Sequence, residues 1–419
     1  MTETVPAADH AALQRRTLRV LMAGVLPAGM AMAGGFAAAA VLAEEITGSD
    51  TLAGVAAASL STGGALATVP LARLTARKGR RPGLRVGWAL GAVGACLATL
   101  AALTDLYPLL VLGMLGIGTG QATNLAARYA AADLAPDGRQ ARAIGILVWG
   151  TTVGSVLGPT VALGPAGTVA EAFGLPELAG PYLLSVGCFT LSTVLVDRML
   201  RPDPLEVIGA IGEEAERRPP LRSSFATLWR LPPARLAVFA MGIGHAVMVG
   251  IMTMTPLHMK DGDHELRIIG FVISVHILGM YAFSPIVGWL VDRVGPHVMI
   301  AAGGVVLFLG AELASHTDPE DRLGVFTGLF LIGLGWSFGL IAGSALLTAT
   351  VPLEQRVAVQ GVADLVMVGS GALAGLSAGA IVEWTSYHSL SHWAGVVALS
   401  LVAAGGVAYV SRPRTPSVA

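Results

Sequence analysis

The sequence predicts an all-α membrane protein: twelve transmembrane helices arranged as two pseudo-symmetric six-helix bundles. Three observations carry this. The 419 residues are 54 % hydrophobic and only 13 % charged, with a mean hydropathy of +0.70. Soluble domains carry about 25 % charged residues and need them to cover their surface. Apolar runs of roughly 20 residues, the length that crosses a bilayer core, occur twelve times. The two halves of the chain also repeat one another at a nearly fixed offset.

In order, the runs are 18–43, 50–72, 84–104, 108–133, 143–163, 181–200, 234–257, 268–291, 297–315, 323–350, 358–383 and 391–411. They divide the chain into a polar tail (1–17), a first bundle (18–200), a linker (201–233), a second bundle (234–411) and a short tail (412–419). The first run is longer than a signal-peptide core, so no cleaved signal is expected. With the N-terminus inside, all but Lys260, Arg267 and Arg322 of the 26 Lys and Arg residues fall at or near the inner face. The outer connections 44–49, 105–107, 164–180 and 384–390 carry none. The positive-inside bias then predicts a bacterial inner membrane protein with both termini in the cytoplasm. The linker mixes charges with prolines. Within it, 222–231 reads either as an amphipathic segment on the inner leaflet or as an unstructured tether.

Composition also excludes some classes. Net charge is −1, so no global field points to nucleic acid. Cys96 and Cys188 both lie inside apolar runs and offer neither a disulfide framework nor a metal motif. No cofactor, metal site or enzymatic activity is expected, and the protein is expected to act as a monomer in the lipid bilayer.

The internal repeat is specific. Leu74, Arg77 and Gly79 recur 216 residues later as Leu290, Arg293 and Gly295. Gly116 and Gly118 recur 217 later as Gly333 and Gly335, and Arg139, Gly154 and Gly158 as Arg356, Gly371 and Gly375. Two six-span repeats in parallel place a substrate site near the midplane between the halves.

These residues resemble the major facilitator superfamily over essentially the whole chain. Ala72–Arg81 looks like its motif A, G-x-L-x-D-R-x-G-R-R, with Ala76 in place of the acid and Ala72 in place of the first Gly. The second copy, Gly288–Gly295, keeps the acid as Asp292 beside Arg293. Gly154, Gly158 and Pro159 resemble motif C (G-x-x-x-G-P) of the drug:proton antiporter branch, although the Gly pair that should follow is missing. The Arg that motif B of that branch carries is also missing, because Gly113 occupies its position. The resemblance implies secondary transport by alternating access, with proton-coupled efflux suggested by motif C. It also implies a latch between the halves. For that latch the expected residues are Arg73, Arg77, Asp364, Asp292, Arg293 and Arg139, with Asp364 pairing Arg73 or Arg77 to supply the carboxylate that Ala76 lacks. The motif C glycines are expected to pack at the interface of the halves.

Ionisable groups at membrane depth are costly and so mark function. His245 lies near the middle of its span and titrates near neutral pH in water. It is the first proton-coupling candidate, with Asp364 second and His276 as a possible relay. Arg128 and Asp133, at the inner end of one span, read as structural partners of each other or of Arg139. The expected substrate cavity is apolar and soft: Met30, Met32 and Met248, with Gln121, Asn124, His245, Trp336 and Phe338. Methionine adapts to varied apolar shapes. The partners expected are therefore protons and a small amphipathic or apolar organic molecule. Lipid or metabolite export, proton-coupled uptake and facilitated transport remain alternatives in the same fold.

Overall fold

The computed structural model describes residues 7–211, 221–262, 266–318 and 320–411. Its elements are helical, and twelve spans are long and apolar enough to cross a membrane. They are α1 (Ala7–Thr47), α2 (Asp50–Lys78), α3 (Arg80–Thr104), α4 (Tyr107–Asp133), α5 (Gln140–Val161), α6 (Gly180–Met199), α7 (Pro232–Asp261), α8, α9 (Pro296–Ser315), α10 (Arg322–Thr350), α11 (Leu353–Trp384) and α12 (Tyr387–Val410).

The eighth span was expected as one helix and is two, α8a (Leu266–Tyr281) and α8b (Ser284–Val294). Pro285 explains the break: it has no N–H to donate, and its ring crowds the carbonyl four residues back. Pro27, Pro70, Pro159 and Pro256 are instead absorbed within continuous helices. Just beyond Pro159, α5 loosens into a π-helical turn, Ala162–Ala166.

Each half has its own core. In the first, Leu21, Val25, Trp88, Ile117 and Phe189 are buried together. The second is built around Met241, Leu307, Trp336, Leu340 and Met367, and also takes in Ala141, Ile144 and Val148 of α5. The first part of α5 is therefore embedded in the opposite half. Its partner there is α8b: a side chain on Gly145 would strike the Ser284 carbonyl, and one on Gly288 the Ala141 carbonyl. The second seam joins α2 to α11, where any side chain on Gly361 would collide with Ala72.

Both seams lie at the end of the bundle that carries the α2–α3 and α8b–α9 turns and the linker, here called the linker end. Those turns are made by Gly79 (φ 104°) and Gly295 (φ 98°), equivalent positions in the repeat whose backbone strongly favours glycine. The linker itself closes onto this end. Buried Asp203 accepts from the backbone N–H of Arg80 (3.1 Å) and Arg81 (2.7 Å), capping α3. Behind it Leu205 and Ala210 pack with Ala76 of α2 and Val357 of α11. A helix also forms over Leu221–Arg230, and its Thr227 hydroxyl donates to Gln355 of α11 at 2.5 Å.

Candidate functional site

The two halves meet chemically at Arg128, near the linker end of α4. It is 1 % exposed, and Asp364 of α11 is 3 % exposed. Both terminal nitrogens of Arg128 donate to the Asp364 carboxylate. Its Nε donates to Ser344 Oγ of α10 at 2.9 Å, Nη1 to the Leu125 carbonyl and Nη2 to the Tyr129 hydroxyl at 3.0 Å. Tyr129 in turn donates to Asp364 at 3.3 Å, and Met241 Sδ of α7 lies 4.0 Å from Nη2. A charge this deep is tolerated only when paired and fully hydrogen-bonded. Arg128 and Ser344 lie on α4 and α10, the fourth span of each half.

Around this pair stand two further inter-half contacts. Arg80, itself buried, forms an ion pair with Asp133 at 2.7 Å and donates to Gln360 of α11 at 3.0 Å. Asp292 at the end of α8b accepts from the backbone N–H of Ala141 (3.1 Å) and Arg142 (2.9 Å), placing a carboxylate on the positive end of α5. Arg139 and Arg142 add charge attraction there. Every inter-half side-chain hydrogen bond among the described residues lies at the linker end.

Several expectations are corrected here. Asp364 does not pair with Arg73 or Arg77, which are exposed. It sits about 16 Å along α11 from Leu353 at 1.5 Å per residue, too deep for the end of α2 and level with Arg128. Arg128 does not pair with Asp133, because five residues along a helix turn the two onto different faces. Arg293 stays out of the latch and lies over the Trp289 ring at 5.3 Å. Ala76, where the motif has its acid, packs against Leu205 and Val357, so an apolar plug replaces the missing charge. Gly154 and Gly158 do not separate the halves. Side chains there would strike the backbone of α1 around Leu26 and Met30, so they seat α5 on α1 within the first half.

Beside the lock, Thr68 and Ala72 of α2, Ala122 and Tyr129 of α4, and Gln360 and Asp364 of α11 line a small cavity. On α4, Gln121, Asn124, Leu125 and Arg128 make one stripe. Leu125 packs on the opposite core and Arg128 reaches across to Asp364, but higher on the stripe Asn124 accepts from Trp88 Nε1 of α3 at 2.9 Å and Gln121 lies beside Gly64 of α2, so both amides lean on their own half. On α5, Thr152 and Ser155 continue the Ile144 and Val148 stripe. His245 lies one turn above Met241 on α7, and Trp336 two turns above Ser344 on α10. Trp336 Nε1 donates to His245 Nδ1 at 2.9 Å. An indole N–H only donates, so Nδ1 is unprotonated and occupied. Tyr281, at the break in α8, meets Trp336 edge to face, 5.8 Å between centroids.

The other cavity candidates pack within their own halves. Phe338 turns to α9, where its Cβ crowds Gly303. Met32 packs on the core of its own half. Met30 sits in the α1–α5 seam and Met248 is buried in the second core. His276 is pinned through Nδ1 to the Leu329 carbonyl at 2.8 Å, two turns from Trp336 on α10, and no hydrogen bond joins it to His245. Gly335–Gly339 reads G-x-S-x-G, but Ser337 lies inside α10 and its hydroxyl meets Ser284 Oγ at 3.3 Å, not a histidine. Among the described residues no three metal-ligating side chains gather.

Sequence reasoning missed the roles of Tyr129, Ser344, Tyr281 and Asp203, and read Arg128 as merely local.

Twelve membrane-crossing helices in two six-helix halves, locked at one end around a buried ion pair, have the architecture of a multi-pass membrane transporter. The chain belongs to the Major Facilitator Superfamily, whose description matches residues 20–338 and 264–419. It is 37 % identical over 393 residues to the uncharacterized MFS-type transporter YdeG of Bacillus subtilis (strain 168), covering 93 % of this chain and 91 % of that protein. It is 28 % identical over 341 residues to the riboflavin transporter RfnT of Brucella anthropi, covering 81 % and 82 %. Among solved structures, the human organic anion transporter MFSD10 (TETRAN) superposes with a TM-score of 0.74 at 14 % identity, covering 94 % of this chain and 99 % of that one.

Proposed function

We propose that the protein exports a small amphipathic organic molecule in exchange for protons, and that Asp364 carries the proton. The linker end faces the cytoplasm of a bacterial inner membrane, following the placement of the basic residues, so the closed lock corresponds to an outward-facing state. The observation that carries this reading is the buried Arg128–Asp364 pair across the halves. Protonating Asp364 leaves the guanidinium buried without a counter-charge, which favours separation of α4 and α11 and opening toward the cytoplasm. Substrate entry and loss of the proton there restore the pair and return the site to the outside. His245 is assigned to substrate contact instead, since its Nδ1 is held by Trp336. Ala76 and Gly113, where the antiporter motifs carry charge, fit a coupling site moved to α11.

The test is flux in proteoliposomes with and without an imposed pH gradient, using ethidium, Nile red and lumichrome as cargo and an internal pH dye. Cargo movement that speeds up with the gradient and carries protons the other way supports exchange. Flux indifferent to the gradient refutes it. A second reading, uptake with protons moving alongside the substrate, draws support from the 28 % identical riboflavin transporter. It predicts protons and cargo moving in the same direction.

A further inference from the structure

We infer that the slot beside the lock holds a water bonded to Asp364, and that Leu205 and Ala210 of the linker seal this water from the cytoplasm while the lock is closed. The inference rests on the reading of Asp364 as proton carrier and assigns the barrier that such a carrier requires.

Three helix faces bound the slot: Thr68 to Thr75 on α2, Ala122 to Tyr129 on α4 and Val357 to Asp364 on α11, each contributing every third or fourth residue. Seven residues span about 10 Å along a helix, so the slot runs from the carboxylate about two turns toward the linker end. Ala72, Ala126 and Gly361 are too small to fill it. It offers the centre of a water about 20 Å³, and about 10–15 Å³ is enough for one molecule. An apolar void of that size stays dry, whereas a polar one with two to four partners takes a water. This one is lined by the Asp364 carboxylate, the Gln360 amide and the hydroxyls of Thr68, Thr75 and Tyr129. Asp364 also has a lone pair to offer. A carboxylate accepts about four hydrogen bonds. Oδ1 accepts from Arg128 Nη2 and the Tyr129 hydroxyl, whereas among the described residues Oδ2 accepts only from Arg128 Nη1, at 3.4 Å.

Away from the linker end, α2 and α4 close on each other above Thr68: a side chain on Gly118 would strike the backbone of Leu60 and Gly64. The slot therefore leads downward. At its lower end the charges balance, because Arg80 pairs with Asp133, and Arg356 is attracted by Asp133 and Glu354. No net charge is left there to turn a proton away. What closes this end is apolar. Val357 belongs both to the slot wall and to the cluster in which buried Leu205 and Ala210 pack with Ala76. Asp203 pins the same segment to the first turn of α3. A carrier that takes its proton from outside in this state must be shut off from the cytoplasm, or the proton passes straight through. With the seal lifted, the O–H bond of protonated Asp364 breaks toward the slot water. That water hands a proton to the next, and the carboxylate regains the charge that pairs with Arg128.

The test is proton entry into proteoliposomes of the full chain, with no cargo, after an external pH jump. Potassium and valinomycin clamp the potential, and an internal dye reports pH. The unmutated protein should match protein-free vesicles. Leu205→Ser should admit protons at least fivefold faster, and Asp203→Ala, which frees the same segment by another contact, should leak as well. Adding Arg128→Met and Asp364→Leu to Leu205→Ser keeps the lock closed without a carrier and should return the flux to that of protein-free vesicles. Thr68→Val keeps the side-chain shape and should cut the Leu205→Ser leak at least threefold. Linker variants that purify as monodisperse proteins and stay tight, a leak that survives loss of Asp364, or a leak indifferent to Thr68→Val overturns the inference. Gradient-driven cargo accumulation that persists in Asp364→Asn would instead defeat the carrier reading. With that accumulation lost, tight linker variants defeat the seal alone.

Discussion

Replacing Asp364 with Asn imitates its protonated form while keeping its shape. Arg128 would remain 1 % exposed, hydrogen-bonded but without its counter-charge. Breaking one partner of a buried pair costs about 3–5 kcal/mol. The cost falls on the state with the linker end closed, because opening lets the guanidinium reach water. A shift of about 3 kcal/mol changes the closed-to-open ratio by more than about 100-fold, enough to invert a modest preference. The assay is a distance measurement between spin labels at exposed Arg73 on α2 and exposed Glu354 on α11, with Cys96 and Cys188 replaced by Ala. The unmutated background should give one short distance and Asp364→Asn a dominant longer one. Removing both charges, as Arg128→Met with Asp364→Leu, should restore the short distance, since apolar replacement of a buried pair is often neutral or stabilising. Identical distance distributions for Asp364→Asn and its background would refute the reasoning.

Three smaller predictions follow from the surroundings of the lock. Asp292→Ala removes the acceptor for two N–H groups at the start of α5 and should lower stability by about 1–2 kcal/mol, read as a lower melting temperature with a smaller change in the label distances than Asp364→Asn produces. Asp203→Ala uncaps α3 and frees the linker; it should cost about 1 kcal/mol and speed proteolytic cleavage of the linker, whereas an unchanged cleavage rate would show that the capping does not hold the segment. Gly361→Val cannot keep α11 against Ala72; it should give the long label distance and lose flux while the protein still folds and inserts.

The fold was legible because hydrophobic length and repetition are written into every span, whereas the break at Tyr281–Phe283 was not. Pro27, Pro70, Pro159 and Pro256 sit inside continuous helices, so a proline alone does not announce that Pro285 ends one. The site was half legible. His245 and Trp336 are joined by a hydrogen bond, whereas Gln121 and Asn124 lean on α2 and α3 of their own half. Pairing was the weak point. Asp364 was recognised as the deep acid, but its partner depends on which faces of α4 and α11 meet and at what depth, and spacing along one helix cannot show that. Arg80 and Asp133 illustrate the same limit, since their 2.7 Å contact joins the starting turn of α3 to the end of α4. Ala76 shows how a motif can lose its charge and keep its place, with Leu205 of the linker filling the gap.

The central claim is that Asp364 couples transport to protons. Its most direct test compares two assays on Asp364→Asn in proteoliposomes loaded with one transported probe: exchange of labelled for unlabelled probe with no gradient, and net accumulation driven by an imposed pH gradient. The account predicts that exchange persists while gradient-driven accumulation disappears, and that His245→Ala keeps its response to the gradient. Full gradient-driven accumulation by Asp364→Asn would contradict it.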